Sequence, residues 1–140
     1  MALGTPAAGT VAIIHVGATS SPVTPLGGLS TWTYVGDTPQ QTHDYYGQAS
    51  VISIGATTRT VNLTNDYETA DSGHAVIYAA FISKATIWFK VLPDGTNGET
   101  LPVKVAHQEI NGPDVNNHTQ VAWTLVQQGA PATVGTGFGT

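Results

Sequence analysis

The sequence contains no cysteine and few charged residues. Its 140 residues include four Lys or Arg and nine Asp or Glu, which gives a formal net charge of −5. Without cysteine the chain can form no disulfide framework, thiolate metal site or cysteine nucleophile. Nucleic-acid binding needs clustered Lys and Arg to neutralise phosphates, so this composition argues against tight binding of DNA.

The sequence also lacks targeting and membrane signals. The N-terminal stretch MALGTPAAGTVAIIHVGATS has no Lys or Arg before its short apolar run, so it does not resemble a secretory signal. No stretch approaches the roughly 18 apolar residues of a membrane span. We therefore expect a soluble protein made in a cytoplasm, without a membrane partner.

The scarcity of charge bears on assembly. Charged residues make up 9% of the chain, against about 25% in typical globular proteins. A monomer needs surface charge to stay soluble, whereas a chain whose outside is covered in an assembly does not. The composition therefore favours an oligomer, and the length of 140 residues fits a single domain.

Alternating apolar residues predict a mainly β fold, a sandwich or open barrel, with one helix. Single strands are predicted at 10–16, 29–36 and 118–127. Two hairpins are predicted as well: one joins strands at 50–56 and 58–64, and the other spans 86–105. Between them we expect an irregular N-terminal arm at 1–28, a long loop at 37–50 and a flexible C-terminal tail at 129–140. Pro102 predicts an edge position, because proline cannot donate to a strand ladder.

One segment has helical rather than strand periodicity. Asp71 is suited to be the N-cap, and apolar residues pair at i,i+4 up to Lys84, which predicts a helix over about 72–84. The run AVIYAAFI at 75–82 is alternatively a buried strand, because periodicity does not decide short apolar runs. A helix that is apolar on nearly every side is expected to be covered on two sides, one of them by a neighbouring chain.

The polar residues form no catalytic or metal-binding pattern. The histidines, which might ligate a metal, lie far apart in the sequence, at His15, His43, His74, His107 and His118. The pair His43 and Asp44 has no nucleophile to activate, and the carboxylates of Asp66, Glu68 and Asp71 are explained by helix capping. We expect no enzyme activity and no cofactor or metal.

Aromatic residues are the candidate contact sites. Trp32, Tyr45 and Tyr46 lie in or beside the predicted long loop, where exposed aromatics are favoured anchors at protein interfaces. Ordinary packing of the loop is the alternative explanation. We add Tyr78 of the predicted helix and Trp88 of the second hairpin as predicted inter-subunit contacts.

The order of these features resembles that of the major tail tube proteins of long-tailed, siphovirus-like bacteriophages. The resemblance is carried by TVNLTNDYETADSGH leading into AVIYAAFISKATIWFKVLPDG, followed by GETLPVKVAHQEINGPDVNNHTQVAWTLVQQGAPATV. In that family an Asp-rich segment opens the single helix, a strand ending in Pro-Asp-Gly follows, and a Gly-Pro turn precedes the final strand. Residues 51–134 match this pattern, and residues 1–50 match it loosely.

The resemblance implies a structural virion protein rather than an enzyme. It implies a β-sandwich with one flanking helix, hexameric rings stacked into a hollow tail tube, and sheets joined across subunits around a lumen. The loop at 37–50 would reach the next ring. The implied partners are other copies of the chain, tape-measure and tail terminator proteins, and viral DNA that passes without specific binding. The implied location is the virion tail, after assembly in the host cytoplasm.

A capsid decoration protein or an immunoglobulin-like adhesion module is the alternative function. ADSGHAVIY is similar to the Asp-x-Gly-x-Tyr signature of immunoglobulin domains. Ala75 stands where that signature has its tyrosine, and no Cys-Trp set accompanies it.

Overall fold

The structure, a computed structural model, describes residues 12–44, 46–47, 49–112 and 117–138. These contain one helix and ten strands. The helix α1 spans Ser72–Ser83, and the strands are β1 Ile13–Gly17, β2 Thr24–Pro25, β3 Leu29–Asp37, β4 Gln40–His43, β5 Val51–Ile54, β6 Thr58–Asp66, β7 Ile87–Leu92, β8 Gly98–Asn111, β9 Gln120–Gln127 and β10 Ala132–Val134.

Eight of the strands form one antiparallel sheet. Its order is β2-β1-β7-β8-β9-β6-β3, and β10 pairs with the start of β8. Strands β4 and β5 form a separate two-stranded sheet. The predicted fold class, mainly β with one helix, is confirmed.

The large sheet curls on itself until β3, at one end, faces β7. β3 and β7 are separated in the sheet by four strand spacings, which is about 19 Å on a flat sheet at about 4.8 Å per spacing. Yet the rings of Tyr34 on β3 and Phe89 on β7 are stacked with centroids 6.1 Å apart. The inner face of the curled sheet therefore encloses the hydrophobic core.

Alternation along the strands determines which side chains enter that core. On β9 every second residue is buried, namely Val121, Trp123 and Leu125, as the sequence predicts. The core contains one buried polar pair, in which the indole Nε1 of Trp123 donates to Oδ1 of Asn65 at 3.0 Å. A buried indole N–H needs such a partner, because water cannot reach it.

A carboxylate fixes the corner of the sheet where β3, β6 and β8 approach each other. Glu99 accepts from Nε of Arg59 at 2.8 Å and from the hydroxyl of Tyr34 at 2.8 Å. Burial by itself would raise the pKa of Glu99, but hydrogen bonds from Arg59 and Tyr34, together with the Arg59 charge, lower it. Burial and the bond to Glu99 raise the pKa of Tyr34. Glu99 is thus held as an anion that links three strands.

The helix begins where the sequence predicts. Asp71 is the N-cap, and its carboxylate accepts from the backbone N–H of His74 at 2.9 Å and from that of Gly27 at 3.2 Å. The first turn approaches β2 closely, since a Cβ on Gly73 would lie 2.6 Å from the carbonyl oxygen of Pro25. Asp71 therefore both caps α1 and fixes it to the segment that follows β2. The alternative prediction of a buried strand is wrong.

One predicted strand pairing is wrong, and the hairpin predicted at 86–105 is confirmed as β7 paired with β8. Strand β5 does not form a hairpin with β6; it pairs with β4, so that Thr42 lies opposite Ile52. β6 instead pairs with β3 on one side and β9 on the other. The segment 37–50, predicted as a long loop, accordingly contains the end of β3 and all of β4. Alternation identifies strand faces, but it does not identify the partner strand.

Other differences concern the predicted edges and termini. Pro102 lies on the internal strand β8 and not at an edge. Its missing N–H removes no hydrogen bond of the sheet, because Pro102 lies between the part of β8 that pairs with β10 and the part that pairs with β9. Residues 132–134 of the predicted flexible tail form β10. Of the predicted irregular arm, residues 12–28 are described, and within them β1 is paired on both sides, with β2 and β7.

We expect Asn65→Ala to lower the free energy of unfolding by about 1–3 kcal/mol, because it leaves the Trp123 indole N–H buried without an acceptor. Urea denaturation followed by tryptophan fluorescence measures this loss. The matched control is Asn62→Ala, an exposed asparagine on the same strand, for which we expect a change within about 0.5 kcal/mol. Equal losses in the two variants would show that the buried hydrogen bond contributes nothing.

We expect Asp71→Ala to destabilise the protein by about 1–2 kcal/mol through loss of the N-cap. Asp71→Asn keeps a side-chain acceptor for the helix amides, so it should retain most of the stability. Thermal unfolding of both variants, followed by circular dichroism, provides the comparison. If the alanine and asparagine variants melt together, the cap is not what stabilises the docked helix.

Candidate assembly surfaces

One side of α1 is apolar and exposed. Ala75, Tyr78, Ala79 and Ile82 follow one another at helical spacing along this side, which we call the helix face. Tyr78 is 47% exposed and Ile82 is 62% exposed. The opposite side of the same helix places Ile77 and Ala80 in the core. The described residues therefore cover only one side of a helix that is apolar all round.

A second exposed apolar surface is the hairpin formed by β4 and β5, which we call the hairpin arm. Its strands bond only to each other within the described part of the chain. Ile52 and Ile54 point to one face and are 59% and 68% exposed, and Tyr46 at the tip is fully exposed. Isolated two-stranded hairpins are marginally stable in water, so the arm is a structure that contact with another surface would stabilise.

A small cavity opens beside the N-terminal half of the helix face. It has a volume of about 340 Å³ and is lined by Tyr67, Thr69, His74, Ala75 and Tyr78. The imidazole of His74 is 3% exposed and makes edge contacts with the rings of Tyr67 and Trp123, at centroid distances of 5.3 and 5.7 Å. Its Nδ1 is buried without a hydrogen-bond partner in the described structure. Burial lowers the pKa of His74, and the charge of Asp71 offsets this only in part.

The middle of the outer face of β3, β6 and β9 carries no charged residue, and Asp37 and Asp66 lie on the same face at its ends. Three cross-strand rows make up this middle part: Thr31, Thr64 and Ala122; Thr33, Asn62 and Thr124; Val35, Thr60 and Val126. The hydroxyl of Thr124 lies 3.2 Å from the amide oxygen of Asn62 and donates to it. The solvent-facing side of an antiparallel sheet usually carries polar residues, and the three central rows here carry hydroxyl, amide and methyl groups.

Comparison with known proteins gives structural matches. No family model matches the sequence, and no curated protein matches it. The chain is similar to the tail of an empty gene transfer agent particle with C6 symmetry, with a TM-score of 0.76 and 14% identity, over 91% of this chain and 98% of that one. It is also similar to the SPP1 tail tube, with a TM-score of 0.75 and 14% identity, over 93% of this chain and 80% of that one. The chain has the tail tube fold.

The similarity extends to a third solved structure. The tube-terminating cap of the anti-feeding prophage matches with a TM-score of 0.66 and 9% identity, over 95% of this chain and 93% of that one. Such coverage in both directions means that almost every element of this chain has a counterpart. The resemblance found in the sequence is thus confirmed at the level of the fold.

The structure separates the predicted contact residues into three groups. Tyr46 and Tyr78 are exposed, on the hairpin arm and the helix face. Trp32 packs against the core and Trp88 is half-buried, so neither presents a free ring. Tyr45 lies outside the described residues.

Ile52, Ile54 and Ile82 are exposed surface residues that the sequence does not single out. Their i+2 and i+4 spacing shows that residues share a face, but it does not show whether that face is covered within the chain.

No metal or membrane site is found among the described residues. In residues 12–44, 46–47, 49–112 and 117–138, no group of three or more His, Cys, Asp or Glu side chains is placed to hold an ion. The helix in these ranges is too short to cross a membrane.

Stability is expected to fall as the pH is lowered from 7 to 5, because His74 is buried in its neutral form. Unfolded histidine binds a proton near pH 6.5, whereas folded His74 binds one only at lower pH, so protons favour the unfolded chain below about pH 6.5. His74→Gln should reduce the loss of unfolding free energy across this range. Part of the pH dependence of stability should remain in His74→Gln, because burial and the charge of Lys90 also lower the pKa of His15.

Urea midpoints at pH 7 and pH 5 measure this effect. His107→Gln is the control, since the His107 side chain is 59% exposed. An unchanged pH slope in His74→Gln, equal to that of the control, would contradict the assignment to His74.

Proposed function

We propose that this protein is the structural subunit of a phage-type tail tube. Copies form hexameric rings, the rings stack into a hollow tube, and the tube conducts DNA during ejection. The protein belongs to the virion tail and assembles in the host cytoplasm. It acts by geometry and surface chemistry, without catalysis.

The observation that carries this proposal is the structural match over nearly the whole chain. The gene transfer agent tail covers 91% of this chain with 98% of its own length, so the tube subunit and this protein share one complete architecture. That tail has C6 symmetry, which supports six copies in a ring. The SPP1 match adds a second tail tube with almost the same TM-score, 0.75.

The uncovered surfaces support self-association. Exposed apolar patches on a soluble domain mark sites that another molecule covers. The helix face and the hairpin arm are such patches among the described residues, and only 9% of the residues in the sequence are charged. A tube subunit, whose sides and ends are covered by neighbouring copies, requires such a surface.

The basic residues support passage of DNA without specific binding. Arg59 is paired with Glu99 in the corner of the sheet, and Lys84, Lys90 and Lys104 lie on separate elements. Without a cluster of cations there is little counterion release to hold a phosphate backbone. Tape-measure and tail terminator proteins are the further partners that a tube of this kind would require.

Two other functions are compared with this proposal. A tube of a contractile injection system has support from the similarity to the PVC sheath-tube complex of an extracellular contractile injection system, with a TM-score of 0.58 and 11% identity. An immunoglobulin-like decoration or adhesion module has an observation against it: Ala75, at the position of the signature tyrosine, lies on a helix and not on a strand.

Electron microscopy of the purified protein tests the proposal. We expect six-fold rings at low concentration and hollow stacked tubes as the concentration rises, because each added copy covers apolar surface. Mass photometry should show species in multiples of six subunits. A compact monomer that persists at high concentration would refute the tube function. Binding to capsids without ring formation would favour the decoration function.

A further inference from the structure

The sequence contains two Asn-Gly pairs, and the structure places them in different surroundings. Asn97 and Gly98 lie where the turn after β7 enters β8, and Asn111 and Gly112 lie where β8 ends. In an Asn-Gly pair the glycine nitrogen readily attacks the preceding carboxamide, because glycine has no side chain to obstruct the approach. The surroundings of each pair therefore decide whether its asparagine is chemically stable.

The side chain of Asn97 is held by hydrogen bonds at both of its polar atoms. Its Nδ2 donates to the carboxylate of Asp94 at 3.1 Å, and its Oδ1 accepts from the backbone N–H of Thr136 at 3.0 Å. The backbone N–H of Asn97 also donates to Asp94, at 2.7 Å. These bonds join the carboxamide to the turn and to the segment after β10, so it cannot rotate toward Gly98 without breaking them.

Gly98 is held in place as well. It is buried, and it pairs with Val134 of β10. A Cβ on Gly98 would collide with the carbonyl oxygen of Val91, which shows how closely the two backbones approach each other. The peptide nitrogen of Gly98 therefore has little freedom to move toward the Asn97 carboxamide.

The second pair, Asn111 and Gly112, is open by comparison. Asn111 is exposed and is the last residue of β8, where it pairs with Gln120. Gly112 lies beyond this final pair and is also exposed, and a Cβ on it would meet no atom within 4 Å. Because the ends of strands open at a low cost in free energy, the Gly112 nitrogen can reach the Asn111 side chain.

We infer that Asn111 is a site of spontaneous deamidation and that the fold protects Asn97 from the same reaction. The Gly112 backbone nitrogen loses its proton and bonds to Cγ of Asn111, the bond from Cγ to Nδ2 breaks, and the amide leaves as ammonia. Water then opens the resulting succinimide at either carbonyl, which gives aspartate or isoaspartate at position 111. The inference depends on the geometry of the single chain and not on the proposed function.

Deamidation adds a negative charge where carboxylates are already present. Asn111, Gln120 and Asp66 form one cross-strand row on β8, β9 and β6, and Nε2 of Gln120 donates to Oδ1 of Asp66 at 3.5 Å. Glu109, two residues before Asn111, points to the same face of β8. Isoaspartate also adds a methylene group to the backbone, which is incompatible with the pair to Gln120. Aged protein should therefore be more acidic and should lose the last pair between β8 and β9.

Peptide mapping by mass spectrometry tests the inference on protein kept in mildly alkaline buffer, which favours loss of the Gly112 proton. Trypsin cleaves after Lys90 and Lys104, so the two sites fall on different peptides. Replacement of NH2 by OH raises the peptide mass, and fragment ions locate the change. In the folded protein we expect conversion at Asn111 to be at least about tenfold faster than at Asn97, where two side-chain hydrogen bonds must first break. In urea the two rates should become similar.

Gly112→Ala is the matched variant. The position has room for a Cβ, and its backbone is not in the left-handed region, so the variant should fold like the wild type. The added methyl group obstructs the attack of the nitrogen. Conversion at Asn111 should therefore be lost over the period in which the wild-type protein converts.

Three results would overturn the inference. Equal rates at Asn97 and Asn111 in the folded protein would show that the fold does not discriminate between the two pairs. If Asn111 stays intact in the folded protein while both sites convert in urea, the end of β8 is held closed. Unchanged conversion in Gly112→Ala would show that the reaction does not pass through the Gly112 nitrogen.

Discussion

The hydrophobic core of this protein is enclosed only because a single antiparallel sheet curls until β3 faces β7. In a sandwich of two separate sheets, each sheet covers one side of the core, whereas here one curled sheet covers both sides. The stacked rings of Tyr34 and Phe89 mark the place where β3 and β7 meet. Next to them Glu99 accepts hydrogen bonds from Arg59 and Tyr34, so that polar groups fix the curvature that apolar burial favours. The helix α1 covers another part of the inner face, where Phe81 and His74 contact Trp123.

This arrangement leaves α1 with only one side in the core. A helix that served the single chain alone would carry charged residues on its other side. Instead that side presents Tyr78 and Ile82 to solvent, and the hairpin arm likewise presents Ile52 and Ile54. The three central rows on the outer face of β3, β6 and β9 also lack charged residues. The low charge content of the sequence thus corresponds to particular surfaces: positions 72–83 hold no Asp, Glu, Lys or Arg, and positions 38–58 hold only Asp44.

The sequence predicts which residues share a face better than it predicts which strands are neighbours. Alternation identified Val121, Trp123 and Leu125 as a buried set, and the N-cap Asp71 gave the start of the helix. Pairing could not be obtained in the same way, because Ile52 and Ile54 alternate as regularly as Val61 and Leu63. Which set enters the core depends on β6 pairing with β3, a contact made through the fold and not through local sequence. The strand β10 is likewise not predicted by local sequence, because residues 132–134 form a strand through pairing with the start of β8.

The acidic balance of the chain is also clearer in the structure than in the sequence. Several carboxylates have structural roles: Glu99 is paired with Arg59, Asp71 caps the helix, and Asp94 accepts from the amides of Thr96 and Asn97 in its turn. These acids therefore do not have to be explained by repulsion of DNA. Protein affinity for DNA comes from Lys and Arg side chains that release counterions from the phosphates, so a surface of hydroxyl and amide groups has little affinity for DNA even without negative charge. For a tube through which DNA slides, the scarcity of unpaired lysine and arginine is a stronger requirement than an excess of negative charge.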